Sequence, residues 1–262
     1  MIPKVIHYCW FGGKEIPPKV RNYISTWKKR CPEYEIKEWN ESNFNVNCCS
    51  YVKEAYQNKK WAFVSDYVRL FVLVKYGGIY LDTDVEVLKS FDNLLNLDAF
   101  CGFEDSTKLS TAILGCKPGF EIFSDWLHKY DTKHFIKKDG SMDLEPNVFL
   151  FTQLCIDQGL VLNNKRQEVN GLEVFPNDWF SPKNYMTNMI NRTENTITIH
   201  HFSATWQSPL EKKMHEREAF FINNYGPKNG KRMAKLFNLD LLIKKRGLFV
   251  ELKHIVKKYV LH

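Results

Sequence analysis

"GGIYLDTDVEV", residues 77–87, sets two carboxylates, Asp82 and Asp84, one residue apart behind an apolar run, Ile79-Tyr80-Leu81, that reads as a buried strand. Ahead of it, Trp61 to Tyr76 carries Val64, Val68, Phe71 and Val72 at helical spacing, and Gly77-Gly78 supply the glycine stop of such a helix. A helix, a glycine stop, a buried strand and then charge at the strand's end is the order in which an open α/β sheet presents a ligand site. Within the helix, Asp66 and Arg69 stand three residues apart and share a face in apolar surroundings. Buried charges cost stability unless they are paired or used, so this pair belongs with the two aspartates as candidate machinery.

Working outward, Lys4 to Phe11 is a β-branched and aromatic run closed by Gly12-Gly13. Pro17-Pro18 leads into a helix with Val20, Ile24 and Trp27 on one face, and a second strand is predicted over roughly Tyr34 to Trp39. This start predicts an α/β domain with parallel strands. Beyond about residue 90 the signals thin to helix-like pieces at Phe120 to Tyr130 and Phe149 to Ile156 and a loop-rich region around Pro176 and Pro182. A β-type run at Thr196 to Ile199 then leads into His200-His201-Phe202-Ser203-Ala204-Thr205-Trp206.

The chain has 262 residues, 44% of them hydrophobic, enough for a sizeable single core. No stretch reaches the roughly 18 uncharged apolar residues of a membrane span, and the N-terminus lacks a basic segment followed by an apolar one, so a cytoplasmic protein is expected. The seven cysteines include the adjacent pair Cys48-Cys49 but no Cys-x-x-Cys spacing, and they read as reduced thiols. The net charge of +7 is concentrated at one end: residues 228–262 carry ten Lys and Arg against two acids, while the remainder carries 27 against 28. That distribution argues against a general nucleic-acid binder and for a local contact with something anionic.

Two carboxylates at a strand end suit Mg2+ or Mn2+ bridging a diphosphate, whereas a solvated strand end is the alternative. Three blocks in order carry a resemblance: Ile6 to Gly13, Ser65 to Arg69, and Tyr76 to Asp84. Together they resemble the DXD-containing sugar-transferase family of bacterial capsule and polysaccharide glycosyltransferases, related to the yeast initiating α-1,6-mannosyltransferase and the clostridial glucosylating toxins. The match covers residues 1 to about 90, with a weaker echo at His200 to Trp206. It implies a GT-A fold, a Rossmann-like mixed sheet flanked by helices, with a nucleotide-sugar donor, a divalent metal and retention of anomeric configuration.

By the same resemblance, Trp10 corresponds to the aromatic that stacks on the donor base, with Phe11 and Gly12 beside it. Asp66 and Arg69 correspond to residues that contact donor sugar hydroxyls and diphosphate, with Tyr80 in the same block. Asp82 corresponds to a residue touching ribose and sugar, sometimes with the metal through water, and Asp84 to the direct metal ligand. Near the C-terminus the toxin pattern has an acid, a Ser and a Trp. Here His201 stands where the acid would be, and Ser203 and Trp206 are one residue further apart. His201 is the expected third metal ligand, with His200 and Ser203 as alternatives and a strand histidine without a ligand as the other reading.

The expectation is a metal-dependent, retaining hexosyltransferase using a UDP-sugar, UDP-glucose or UDP-galactose, with a glycan or lipid-linked oligosaccharide acceptor in capsular or cell-surface polysaccharide synthesis. Mn2+ or Mg2+ is the expected cofactor, and nucleic acid is not an expected partner. The alternatives are a metal-dependent nucleotidyl or phosphoryl transferase and a catalytically silent glycan- or membrane-binding protein. Domain organisation is expected as 1–227 for the catalytic domain and 228–262 for a basic helical extension. In that extension Leu248, Phe249, Leu252, Ile255, Val256, Tyr259 and Val260 fall at helical spacing opposite Lys253, Lys257 and Lys258. Such a helix fits either a peripheral contact with the anionic inner face of the cytoplasmic membrane or a last helix packed on the body. Acceptor recognition is expected in residues 100–190, where no motif is legible.

Overall fold

In the computed structural model, which describes residues 1–203, 208–239 and 241, the chain divides into two compact units. The first comprises Met1–Lys183 and Asn191–Phe202; the second comprises Asn184–Ile190 and the chain from Ser203.

The first unit opens with β1 (Val5–Cys9), α1 (Pro18–Arg30) and β2 (Glu35–Trp39), followed by α2 (Ser50–Gln57), α3 (Trp61–Tyr76), β3 (Gly78–Leu81) and β4 (Val85–Val87). Then come β5 (Ala99–Asp105), β6 (Lys108–Leu109), β7 (Ile113–Cys116), α4 (Glu121–His128), α5 (Asn147–Asp157), β8 (Gln167–Val169), β9 (Leu172–Phe175), α6 (Asn177–Phe180) and β10 (Thr198–His200). The main sheet runs β2-β1-β3-β7-β5-β9-β8, with β6 paired to β5. Strands β1, β2 and β3 are mutually parallel, β7 runs against both β3 and β5, and β9 is parallel to β5. The architecture is therefore a mixed α/β sheet flanked by helices, with a parallel N-terminal half. A separate two-stranded ladder pairs β4 with β10.

The helices follow from their sequences. Val20, Ile24 and Trp27 form the buried stripe of α1, which has Pro18 in its first turn where the missing N–H costs nothing. Helix α3 buries Val64, Val68, Leu70, Val72 and Leu73 and stops at Gly77, whose φ of 64° is the left-handed geometry that glycine adopts without a Cβ penalty. Strand β3 is buried on both faces: Tyr80 packs into a core shared with α2, α3, α4 and α5, and Ile79 and Leu81 pack into a second core with α1 and β4. The sheet thus lies between two apolar layers, and the end of β3 emerges between them.

His7 in β1 is buried at 1% exposure, and its ring is held in one tautomer. Nε2 donates to the Gly77 carbonyl at 2.9 Å, and Nδ1 accepts from the Trp39 indole N–H at 3.1 Å. Burial lowers its pKa to about 4, and a second proton on Nδ1 would face the Trp39 N–H. Because the folded value lies below the unfolded one, the unfolded chain takes up the proton first. The stability contributed above the unfolded pKa of roughly 6.5 is therefore lost as pH falls towards 4, by about 3 kcal/mol in full. Asp66, raised to about 6, acts in the opposite direction over the same range. Denaturant midpoints of wild type and His7→Gln, compared between pH 7.5 and pH 5, separate the two: the variant is expected to lose the acid-side decline and keep the Asp66 contribution. Parallel profiles would show that His7 titrates normally.

In the second unit, α7 (Pro209–Phe237) begins with a full capping box. The Ser208 hydroxyl accepts from the Glu211 N–H at 3.3 Å, and the Glu211 carboxylate accepts from the Ser208 N–H at 2.8 Å. Helical geometry is interrupted at Gly226, ahead of Pro227. The boundary expected between residues 227 and 228 falls at this kink, whereas the compact units divide after Phe202. The helix expected from Leu248 onward lies outside the described residues. Among those described, no helix is long and apolar enough to cross a membrane.

Candidate functional site

Asp82 follows β3 directly, and Asp84 precedes β4, so the turn between the two strands carries both carboxylates. The turn is pinned by the Asp82 N–H donating to the Ala112 carbonyl at 2.9 Å and the Val85 N–H donating to the Asp82 carbonyl at 3.0 Å. Pairing of β10 with β4 sets His200 opposite Val85, and the His201 N–H donates to the Asp84 carbonyl at 3.0 Å. His200 Nε2 then lies 3.4 Å from Asp84 Oδ1, and ligating atoms of Asp82, Asp84 and His200 all lie within 4.8 Å of one another.

The histidine in this cluster is His200, not the expected His201. Successive side chains of an extended segment leave on opposite sides. His201 accordingly turns away: its Nε2 is 2.9 Å from Glu86 Oε2, and its ring stacks on Tyr23 at 4.7 Å between centroids.

Behind the aspartates, Arg69 is buried in a fixed frame. Its Nη2 lies 2.9 Å from Asp66 Oδ1 and 3.4 Å from Asp82 Oδ1, Nη1 donates to the Thr111 carbonyl at 2.6 Å, and the guanidinium lies 4.8 Å from the centre of the Tyr80 ring. The Tyr80 hydroxyl donates to Asp82 Oδ1 at 3.0 Å. Two residues without a sequence signal complete the frame: Asn147 donates to Asp66 Oδ1 at 2.8 Å and accepts from the Thr111 hydroxyl at 3.0 Å.

Burial dominates the electrostatics. It pushes Asp66 up to about 6, with Arg69 opposing the shift and Asp82 adding to it. Asp82 is likewise raised, by burial and by Asp84 against the attraction of Arg69. On His200, burial disfavours the charged ring, but Asp84 and then Asp82 outweigh it and the pKa rises. The cluster therefore carries more negative charge than Arg69 alone neutralises, and it favours a further cation.

The residues fit a divalent metal. A cation held by ligands at ~2.0–2.6 Å keeps them within roughly 5 Å of one another, as found here. Two carboxylates and one imidazole match Mn2+ or Mg2+ with part of the coordination sphere left to other ligands, whereas Ca2+ takes about six to eight oxygens.

The other sequence-derived residues are distributed as follows. Parallel pairing of β1 with β3 sets Trp10 and Phe11 at the same end of the sheet as Asp82. Trp10 is half-buried, with its indole N–H donating to the Lys14 carbonyl at 2.6 Å, and Phe11 is buried against Phe44. The Gly12 N–H donates to Glu41 at 2.7 Å. Ser203 belongs to the second unit, where its carbonyl accepts from Lys212 Nζ at 2.8 Å. Trp206 lies outside the described residues.

Residues 17–101 match the family described as the glycosyltransferase sugar-binding region containing DXD motif. Among curated proteins the chain is similar to inositol phosphoceramide mannosyltransferase 3 of Schizosaccharomyces pombe, 31% identical over 122 residues that are 45% of this chain and 34% of that protein. It is also similar to lactosylceramide 4-alpha-galactosyltransferase of Mus musculus, 32% identical over 119 residues that are 45% of this chain and 32% of that protein. The aligned segment thus spans about a third of these two relatives. Among solved structures, the PaToxG glycosyltransferase is 22% identical with a TM-score of 0.45, covering 60% of this chain and 70% of its own. The galactosyltransferase LgtC is 13% identical with a TM-score of 0.40, covering 88% of this chain and 95% of its own. The matched stretch contains Asp66, Arg69, Asp82 and Asp84, so the likeness to that family rests on the segment that carries the site.

Proposed function

We propose that the chain transfers a hexose from a nucleotide-sugar, a UDP-sugar in the first instance, to a hydroxyl of a glycan or glycolipid acceptor in cell-surface polysaccharide synthesis, with retention at the anomeric carbon. The observation that carries this reading is the convergence of Asp82, Asp84 and His200 beside the framed Asp66–Arg69 pair.

Asp82, Asp84 and His200 would hold the divalent cation, which when bound supplies positive charge to the donor diphosphate. Arg69, kept charged by Asp82 and Asp66 against its burial, presents a pre-set cation to the same diphosphate, and a fixed charge in a dry site is worth more than one in water. Asp66 is oriented by Asn147 and Arg69 to accept hydrogen bonds from sugar hydroxyls, and Trp10 offers its ring to the base. Transfer on one face of the sugar breaks the anomeric bond to the diphosphate as the bond to the acceptor oxygen forms, and the acceptor's proton passes to the departing phosphate. The names of the relatives, a mannosyltransferase acting on inositol phosphoceramide and a galactosyltransferase acting on lactosylceramide, support a hexose donor and a lipid-borne acceptor. A lipid-borne acceptor would agree with a peripheral contact of residues 228–262 with an anionic membrane.

Release of nucleoside diphosphate from a panel of UDP- and GDP-sugars in Mn2+ tests the reading without knowledge of the acceptor. Metal-dependent release from one donor is the expected result and names the sugar. Turnover of a nucleoside triphosphate instead would make the protein a nucleotidyl or phosphoryl transferase. Neither turnover nor calorimetric binding of any donor would leave a silent binding protein.

A further inference from the structure

The ladder of β4 and β10 has two ends. At one, His200 pairs with Val85 and meets Asp82 and Asp84. At the other, the Leu88 N–H donates to the Ile197 carbonyl at 2.8 Å, and the Ile197 N–H donates to the Trp179 carbonyl at 2.8 Å. A cleft of about 500 Å³ opens beside this second end, walled by the chain that follows β4, the segment that precedes β10, and the end of β9 with α6. Its size falls within the roughly 300–1,000 Å³ of small-ligand sites. Three residues of extended chain, about 10 Å, separate Ile197 from His200, so the cleft lies outside the aspartate–histidine cluster. Its apolar wall is formed by Phe175 and the half-buried Trp179, whose ring centroids lie 4.4 Å apart. Two acids, Asp92 and Glu194, and two bases, Lys89 and Arg166, balance its charge. Three of these four are engaged: Asp92 by Lys4 at 3.2 Å, Arg166 by Glu173 at 2.5 Å, and Lys89 by the Glu194 carbonyl. The neutral polar groups are free, since among the described residues nothing bonds the Trp179 indole N–H or the side-chain amides of Asn93 and Asn195.

We infer that this cleft is a second, non-catalytic carbohydrate site that takes a neutral hexose unit of a glycan. A pyranose has an apolar C–H face and a rim of hydroxyls. Trp179 offers the flat apolar surface that suits the first, with its N–H as a donor, and Asn93 and Asn195 each offer a carbonyl oxygen and two N–H donors in one plane for the second. An anionic ligand would need an excess of uncommitted cations, and the balanced lining provides none. On the transferase reading, the site grips a unit of the glycan that does not react and so raises the acceptor's local concentration. Binding itself requires neither donor nor metal, so it stands or falls apart from transfer.

Saturation-transfer NMR of the full chain with the methyl α-glycosides of glucose, galactose and mannose, in the absence of nucleotide and metal, tests this. At least one glycoside is expected to bind with a Kd of about a millimolar, the weak affinity that suits a ligand of a dozen heavy atoms, with transfer strongest to the C–H protons of one ring face. Trp179→Ala should abolish the signal. Because Trp179 also packs on Phe175, a second variant guards against misfolding: Asn93→Ala with Asn195→Ala, at two exposed positions, should weaken binding about tenfold or more. Asp84→Asn should bind as wild type does. A Kd above about 50 mM for all three glycosides, binding unchanged in both cleft variants, or binding lost in Asp84→Asn, which would place the sugar at the aspartates, would each overturn the assignment.

Discussion

Asp84→Asn is expected to lower nucleotide-sugar turnover at least about a hundredfold while leaving the folded state as stable as wild type, or slightly more so. The second half of that expectation follows from the charge count. Asp84 adds to the burial that raises Asp82, so neutralising it relieves a repulsion within the cluster. A variant that folds well and binds Mn2+ poorly separates a ligand from a structural residue. His200→Ala should weaken Mn2+ binding alongside it, whereas His201→Ala, which removes a partner of Glu86 and Tyr23, should leave the affinity within a factor of a few. Mn2+ titration with paired turnover measurements checks all three. Wild-type turnover in Asp84→Asn, or equal losses from the two histidines, would sink the ligand assignment.

Arg69→Met carries the largest expected cost in stability, about 3–5 kcal/mol near pH 8, because it leaves buried carboxylates at Asp66 and Asp82 without their cation. The cost should depend on pH. Asp66 has a folded pKa of about 6, above the ordinary aspartate value of 3.8, so its charged form is penalised in the folded state and stability is recovered as pH falls through the folded value. Removing Arg69 raises that value further, and the deficit at pH 5.5 should be smaller than at pH 8. Urea unfolding at the two pH values gives the answer; a loss under about 1 kcal/mol at both would mean that water, not Arg69, screens the pair.

The parts legible in the sequence are those where one local signal determines one structure. Val20, Ile24 and Trp27 announced α1, Gly77 announced the end of α3, and Ile79 to Asp82 announced β3 and its charged edge. In the middle of the chain the helix-like pieces at Phe120 to Tyr130 and Phe149 to Ile156 correspond to α4 and α5, but the strands β5, β7 and β9 are not legible. Strand β7 is four residues long and carries Gly115, a poor strand former on its own. A Cβ there would lie 2.2 Å from the Phe100 ring, so the glycine is required by a neighbour that sequence order does not reveal. Asn147 was missed for a related reason. At the start of α5 it reads as helix-start chemistry, and only the fold brings it to Asp66. Between His200 and His201 the resemblance favours His201, whereas the pairing of β10 with β4 brings His200 to the aspartates.

That pairing also bears on when the site exists. Strands β4 and β10 are three residues each and stand more than a hundred positions apart in the chain, so their ladder closes a long loop for few hydrogen bonds. Such pairings form late in folding and open early in native fluctuations, at a free energy below that of the whole domain. Detachment of β10 alone would carry His200 away from the aspartates while the main sheet stayed intact. The protein can therefore be folded by every spectroscopic criterion and yet, for a fraction of the time, have no site, and hydrogen exchange at Ile199 and His201, which face β4 in the ladder, would measure that fraction.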